Sequence, residues 1–506
     1  MVAIGSTAAR LSSAQRWMLV VSCLSVALVV AAMAALYSAL PEIAADTGVT
    51  QRQLTWVVDG YTLALACLVL PAGALGDRVG RRVMLIAGMA VFTLASVVPL
   101  LIDGPHWLIA ARALAGVGAA FVMPSTLSLL TAGFPEERRG QAVGLWAGVA
   151  GSGGALGIIG SGLLLQWLSW QSVFVAMAAI GALLFGAGWT VSESVDADRP
   201  PLDPWGSVTV AAAVGLIVVA AMETPVRGWS DPLVLGVLAG GVVAAAIFAI
   251  VELRIAHPLL DVRLFRHRGF GSGALSLTVQ FLVSFGVFML IVQYLQLILG
   301  YSPLASSLAL GPMIIPLVAV SLFAPRLAER FGLRLISLIG LVVVGTGLLL
   351  IARLDLSSSY TNLLLALLIM STGMGLCSAP ATAAIVAGTP VEKHGVAAAV
   401  NDAAREIGAA LGIAIAGSVL AAGYSHRISP ALPQLPEAAR GPVSDSLAAA
   451  LQVAERAGPQ AEPLAAFAKT AFLEGFQQAG VALGCLTLVA AVLIAMWAPG
   501  PPSERG

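Results

Sequence analysis

Residues 73–82 read GALGDRVGRR, and residues 325–334 read PRLAERFGLR. Offset by 252 residues, Leu75 falls on Leu327, Asp77 on Glu329, Arg78 on Arg330, Gly80 on Gly332 and Arg82 on Arg334. Each copy stands between two apolar runs, so each is a short charged turn joining hydrophobic helices, and the chain is duplicated at about half its length. Gly73, Gly76 and Gly80 let helix ends approach closely and turn sharply. Asp77 can accept from N–H groups at a helix terminus. Arg78, Arg81 and Arg82, with Glu329 and Arg330 of the second copy, can reach acidic or carbonyl partners on neighbouring helices. Together these residues form a candidate conformational latch on the cytoplasmic face.

The sequence around the two turns is that of a membrane protein, with 59% apolar and 10% charged residues, against roughly 45–50% and 25% in soluble chains. Runs long enough to cross about 30 Å of hydrocarbon number fourteen: 17–40, 54–76, 83–102, 107–131, 141–165, 172–191, 205–222, 232–251, 271–298, 304–325, 335–353, 361–387, 397–422 and 476–497. With the N terminus in the cytoplasm, seventeen basic residues fall inside and seven outside, Arg112 and Arg405 lying within spans. That orientation obeys the positive-inside rule, and an even number of spans returns the C terminus to the cytoplasm. The expected architecture is all-α: a six-span bundle over 1–192, two additional spans and a cytoplasmic amphipathic linker over 193–270, and a second six-span bundle over 271–506 with an external loop at 423–475.

A net charge of zero offers nucleic acid no field. Cys23, Cys67, Cys377 and Cys485 each sit singly in an apolar run, without metal-ligand spacing. The two lysines, Lys393 and Lys469, stand in no G-x-x-x-x-G-K-[ST] loop, so ATP is not an expected partner and no cofactor is called for. The linker instead mixes Arg254, Arg263, Arg266 and Arg268 with Leu259, Leu260, Leu264 and Phe265, a composition suited to anionic membrane lipids.

GALGDRVGRR resembles the signature of the major facilitator superfamily, G-x-L-a-D-r-x-G-r-r. WVVDGYTLALA from Trp56, RALAGVGAA from Arg112, SWQSVF from Ser169, HPLLDVRLFRHRGF from His257 and YLQLILGYSPLASSLALGP from Tyr294 narrow the resemblance to the fourteen-span drug:proton antiporters, the QacA-type multidrug exporters. It implies the major facilitator fold, two six-helix bundles plus two extra central helices, in a bacterial plasma membrane, with substrate bound between the halves near the midplane. It also implies export of amphipathic, often cationic small molecules in exchange for protons. The chain departs from the family pattern at Ala32, where the first span usually carries an acid, and at Ile158, where the fifth carries a proline. Export of an endogenous metabolite or lipid-like compound, and a non-transporting scaffold or sensor, are the alternative readings.

Charges at membrane depth are functional candidates. Asp59 and Arg112 each lie five residues into an inward-running span, both about 7–8 Å below the outer boundary, so an ion pair between them is expected. The resemblance associates these two positions with protons and cationic substrates. Asp402, Arg405 and Glu406 form a second cluster in which the two acids share a helix face and Arg405 can pair with Asp402. If the helix enters the bilayer near 397 this trio is near mid-depth; if near 405 it sits at the cytoplasmic mouth.

Gly153, Gly157 and Gly162 are expected to pack the fifth span closely. Phe281, Phe285 and Phe288 recur at i, i+4, i+7, with Gln293 and Tyr294 beyond them, and both lipid and a substrate cavity account for such a stripe. Tyr37, Trp56, Met123 and Trp146 are further cavity candidates.

Overall fold

A computed structural model describes residues 12–47, 51–102, 104–194, 202–390 and 393–501. Arg10, Arg199 and Arg505, three of the seventeen basic residues expected on the cytoplasmic side, lie outside the described residues. Fourteen described helices are long and apolar enough to cross a bilayer: α1 (Ser13–Ser38), α2 (Trp56–Val79), α3 (Arg81–Leu101), α4 (Pro105–Gly133), α5 (Arg138–Leu165), α6 (Gln171–Gly188), α7 (Pro204–Pro225), α8 (Pro232–Arg254), α9 (Arg268–Ile298), α10 (Leu304–Phe331), α11 (Leu333–Ile351), α12 (Tyr360–Ala387), α13 (His394–Gln434) and α14 (Pro459–Trp497).

The duplication is visible in the packing. In the first half α1 lies against α5, α2 and α3 against α4, and α3 against α6; α9 against α13, α10 and α11 against α12, and α11 against α14 repeat the pattern. The halves meet along α2 with α13 and along α5 with α10. Helix α7 packs on α2 and α13 at the edge of that first seam, and α8 packs mainly on α7. Asp231 caps α8 by accepting from Leu233 N at 2.8 Å, and Asp203 caps α7 by accepting from Gly206 N at 2.8 Å.

Two glycines make the repeated turns. Gly80 has φ +121° and Gly332 has φ +83°, a region L side chains rarely adopt. Beyond each, an arginine clamps the chain that follows its own half's sixth helix. Arg82 donates to the Val191 carbonyl at 3.3 Å and pairs with Glu193 at 3.6 Å. Arg334 donates through Nε to the Ala498 carbonyl at 3.1 Å. A Cβ at Gly332 would lie 2.6 Å from Pro501 N. With the positive φ, Gly332→Ala is expected to cost about 1–3 kcal/mol and to lower the thermal midpoint in detergent by a few degrees; an unchanged midpoint would show that the turn relaxes.

Helix α5 is small-residue-rich on two faces. A Cβ at Gly153 would sit 2.7 Å from Val30 Cβ, and one at Gly157 would overlap the Ala31 carbonyl, so this face is closed on α1. Gly144 and Gly148 abut Ser321 and Val318 of α10, and Gly162 approaches Leu304 of that helix. The helix runs unbroken over Glu136–Leu165, with Ile158 in place of a kinking proline.

The segment 423–475 joins α13 to α14 largely through helix: α13 continues to Gln434, α14 begins at Pro459, and helices Glu437–Asp445 and Leu447–Ala457 lie between, the latter within the stretch PVSDSLAAALQVAERA whose composition suits an amphipathic helix. Its alanines favour helix wherever the chain runs. In the 252–268 linker, Leu259 and Leu260 are buried in the protein and not laid on lipid, because Glu252 accepts from Leu260 N at 3.0 Å and folds the segment back.

Candidate functional site

At the cytoplasmic end of the seam between halves, Asp77 is buried and accepts four hydrogen bonds. Arg81 donates to Oδ1 through Nη2 at 2.8 Å and Nε at 3.1 Å, Gly395 N donates to the same oxygen at 2.9 Å, and Val396 N donates to Oδ2 at 3.1 Å. The last two are free N–H groups in the first turn of α13, so a carboxylate from the first half caps a helix of the second, where the helix dipole favours it. The backbones touch here: a Cβ at Gly73 would lie 2.5 Å from the Gly395 carbonyl oxygen. Gly76 packs against Met84, and Arg81 reaches Ser194 Oγ at 3.1 Å.

The second copy does not mirror this closure. Arg78, Glu329 and Arg330 form no ion pair among the described residues; Arg330 lies over the Phe331 ring at 5.4 Å. Pro325 and Glu329 both lie beside Gly140 near the start of α5, where an added Cβ would be 3.4 Å from Pro325 Cβ and 3.8 Å from Glu329 Oε1.

Asp59 and Arg112 do not form the expected ion pair among the described residues. Arg112 is buried, donating through Nε to the Val57 carbonyl at 3.1 Å and through Nη2 to the Ala32 carbonyl at 3.0 Å, with Cζ 4.4 Å from the Tyr61 ring centroid. Val57 and Tyr61 are one turn apart and share a face, while Asp59 lies two residues from each, on the opposite side of the helix. The expected pair therefore fails on facing. Asp59 is half-buried, within electrostatic reach of Glu223 at the end of α7 and of Tyr37, which is 51% exposed.

The trio on α13 is sealed. The helix begins at His394, so Glu406 lies twelve residues in, about 18 Å along its axis. Asp402, Arg405 and Glu406 are 0%, 2% and 3% exposed. Asn401 donates to Asp402 Oδ1 at 3.2 Å and accepts from Thr382 at 2.8 Å. Asp402 Oδ2, Glu406 Oε2 and Arg405 Nε and Nη2 have no hydrogen-bond partner among the described residues. Arg405 does not pair with Asp402 as the spacing suggested. Its Cζ lies 4.8 Å from the Trp146 ring and 4.9 Å from the Phe281 ring, between a helix of each half.

Of the aromatic candidates, Trp146 is buried, donating to Thr126 Oγ1 at 3.0 Å. Phe281 and Phe285 stack at 6.1 Å and face the first half's core, with Phe288 edge-on to Phe285 at 6.3 Å. The stripe therefore turns inward and not toward lipid. Met123 is buried beside this region, while Trp56 and Gln293 are half-buried, Gln293 donating to the Met289 carbonyl at 3.3 Å. Tyr294 is turned away, its hydroxyl donating to the Asp355 carbonyl at 3.0 Å and its ring stacked on Phe476 at 5.2 Å. The helix becomes a π-helix over Tyr294–Ile298, which rotates this residue off the stripe. Tyr61, Asn401, Thr382 and Thr126 were not singled out from sequence. Tyr61 was legible as the residue one turn from Val57; the threonines come from other helices and left no local signal.

Two pseudo-symmetric helix bundles closed by a carboxylate at one face, with ionisable groups buried between them, have the architecture of a membrane transporter that works by moving one half against the other. The chain belongs to the major facilitator superfamily, whose model matches residues 22–413. Among similar proteins is the multidrug efflux pump LfrA of Mycolicibacterium smegmatis, 33% identical over 90% of this chain and 91% of the relative. The methyl viologen resistance protein SmvA of Salmonella typhimurium is 33% identical over 91% and 93%. Of solved structures, the human organic anion transporter MFSD10 shares the fold at TM-score 0.63 and 13% identity, covering 95% of this chain and 99% of that one. The proton:xylose symporter XylE does so at TM-score 0.58 and 14% identity, over 96% of each. The protein is thus a multi-pass transporter of the bacterial inner membrane with fourteen spans.

Proposed function

We propose that the chain exports amphipathic, cationic small molecules from the cytoplasm in exchange for protons, without ATP. The observation that carries this reading is the pair of carboxylate oxygens, Asp402 Oδ2 and Glu406 Oε2, buried between the halves without a hydrogen-bond partner among the described residues, near Arg405 and the rings of Trp146 and Phe281. Two acids and one arginine leave one negative charge uncompensated in a dry site, which is costly. Either a proton or an organic cation balances it, and mutual exclusion of the two is antiport. Aromatic faces supply the area and cation–π attraction such a cation needs. The names of relatives, a multidrug pump and a methyl viologen resistance protein, support the same substrate class. Asp59, Tyr37 and Glu223 would receive the departing cation at the outer mouth, and Asp77 would close the inner one behind it.

The test is efflux of tetraphenylphosphonium from proteoliposomes under an imposed pH gradient. The gradient is expected to accelerate efflux at least tenfold, and Asp59→Asn to slow it roughly threefold to tenfold, a loss of about 1 kcal/mol of stabilisation. Flux indifferent to the gradient would sink proton coupling.

A further inference from the structure

Arg405 is the odd member of its site. Its guanidinium is buried, two of its nitrogens bond to nothing among the described residues, and it forms no ion pair, although Asp402 and Glu406 lie within one turn on the same helix. What holds it is a pair of aromatic faces, Trp146 from the first half at 4.8 Å and Phe281 from the second at 4.9 Å. A planar or compact cation between two such rings, beside two carboxylates, is the arrangement an amphipathic cationic substrate would require.

We propose that Arg405 is the resident occupant of the substrate slot, a tethered cation that an incoming organic cation must displace. The inference rests on the cationic-export reading above. On displacement the guanidinium swings along its own helix to Asp402 Oδ2 or Glu406 Oε2, the two acceptors that lack a partner, so it is not left stranded in a dry interior. Because Trp146 and Phe281 belong to opposite halves, the plug also bridges the halves when no substrate is bound, and its removal loosens the seam only when a cation takes its place. Arg405 is by this account a specificity-determining residue: it sets a threshold that only cations able to out-compete a guanidinium for two rings will pass.

The experiment is equilibrium binding of radiolabelled tetraphenylphosphonium to the purified, detergent-solubilised full chain at pH 8. Arg405→Gln is expected to bind about tenfold tighter than the native chain, since the competitor is gone. Arg405→Lys, which keeps the charge but stacks less well, should bind about threefold tighter, and it serves as the test if the glutamine variant is not monodisperse. Adding Trp146→Leu to Arg405→Gln should remove most of the gain. Binding by the native chain that Arg405→Gln and Arg405→Lys leave unchanged or weaken overturns the plug alone. Binding by neither native chain nor variants overturns the cationic reading and the plug together.

Discussion

Replacing Asp77 with asparagine should open the cytoplasmic face. The carboxylate joins Arg81 of its own half to the first-turn N–H groups of α13 in the other, through Gly395 and Val396. Asparagine keeps one acceptor oxygen but loses the charge that pairs with Arg81 at 2.8 Å and that the first-turn N–H groups of α13 point to. The pair with Arg81 lies within the first half and is lost from open and closed states alike; the closed state alone loses the charged acceptor of two inter-half N–H bonds, and at about 1.5–3 kcal/mol for a hydrogen bond to a charged group the two together are expected to cost it about 3 kcal/mol. Taken from the closed state alone, about 3 kcal/mol shifts a two-state equilibrium roughly a hundredfold. Ala399, fully buried where Gly73 crosses α13, supplies the reporter. A cysteine there, in a background lacking the four native cysteines, should react with maleimide at least tenfold faster in Asp77→Asn than with Asp77 present. Efflux should fall by a similar factor or more, because a transporter held in one state does not cycle. Equal labelling rates would show that the seam is held by the helix packing and not by the carboxylate.

Glu406→Gln should abolish gradient-driven efflux, by at least a hundredfold, which is about 2.7 kcal/mol at 1.36 kcal/mol per tenfold. Glutamine is close in size, so packing against the neighbouring spans is preserved, but it carries no exchangeable proton and no charge. Asp402 remains, held on one oxygen by Asn401, so tetraphenylphosphonium should still bind, more weakly by about tenfold. Glu406→Asp keeps the titrating group and should recover a measurable part of the driven flux. A variant that binds the cation but ignores the gradient separates coupling from recognition. Undiminished driven efflux in Glu406→Gln would move the exchangeable proton to another acid, with Asp402 the first to test by the same substitution to amide.

The repeat, the spans and the candidate charges were legible because each is a local or strictly periodic property. Apolar runs of span length declare helices, and a duplicated turn with Gly80 and Gly332 at matching places declares two halves, both glycines having positive φ. The inner face of the Phe281, Phe285 and Phe288 stripe was not legible, since lipid and a protein interior are equally apolar solvents to a sequence pattern. Arg405 shows the same limit: spacing placed it beside Asp402 on its own helix, and rings on α5 and α9 drew it elsewhere.

The sequence by itself determined that this chain crosses the membrane fourteen times in two related halves and which buried charges must be explained, because hydropathy and period are written along the chain. Only the tertiary structure decided which partners those charges meet. Asp77 caps a helix more than three hundred residues away, Arg112 binds backbone carbonyls in place of Asp59, and Arg405 lies between aromatic rings. Depth along a helix follows from counting at 1.5 Å per residue, but facing depends on the rotation of each helix against its neighbours, and that is set by packing between distant segments.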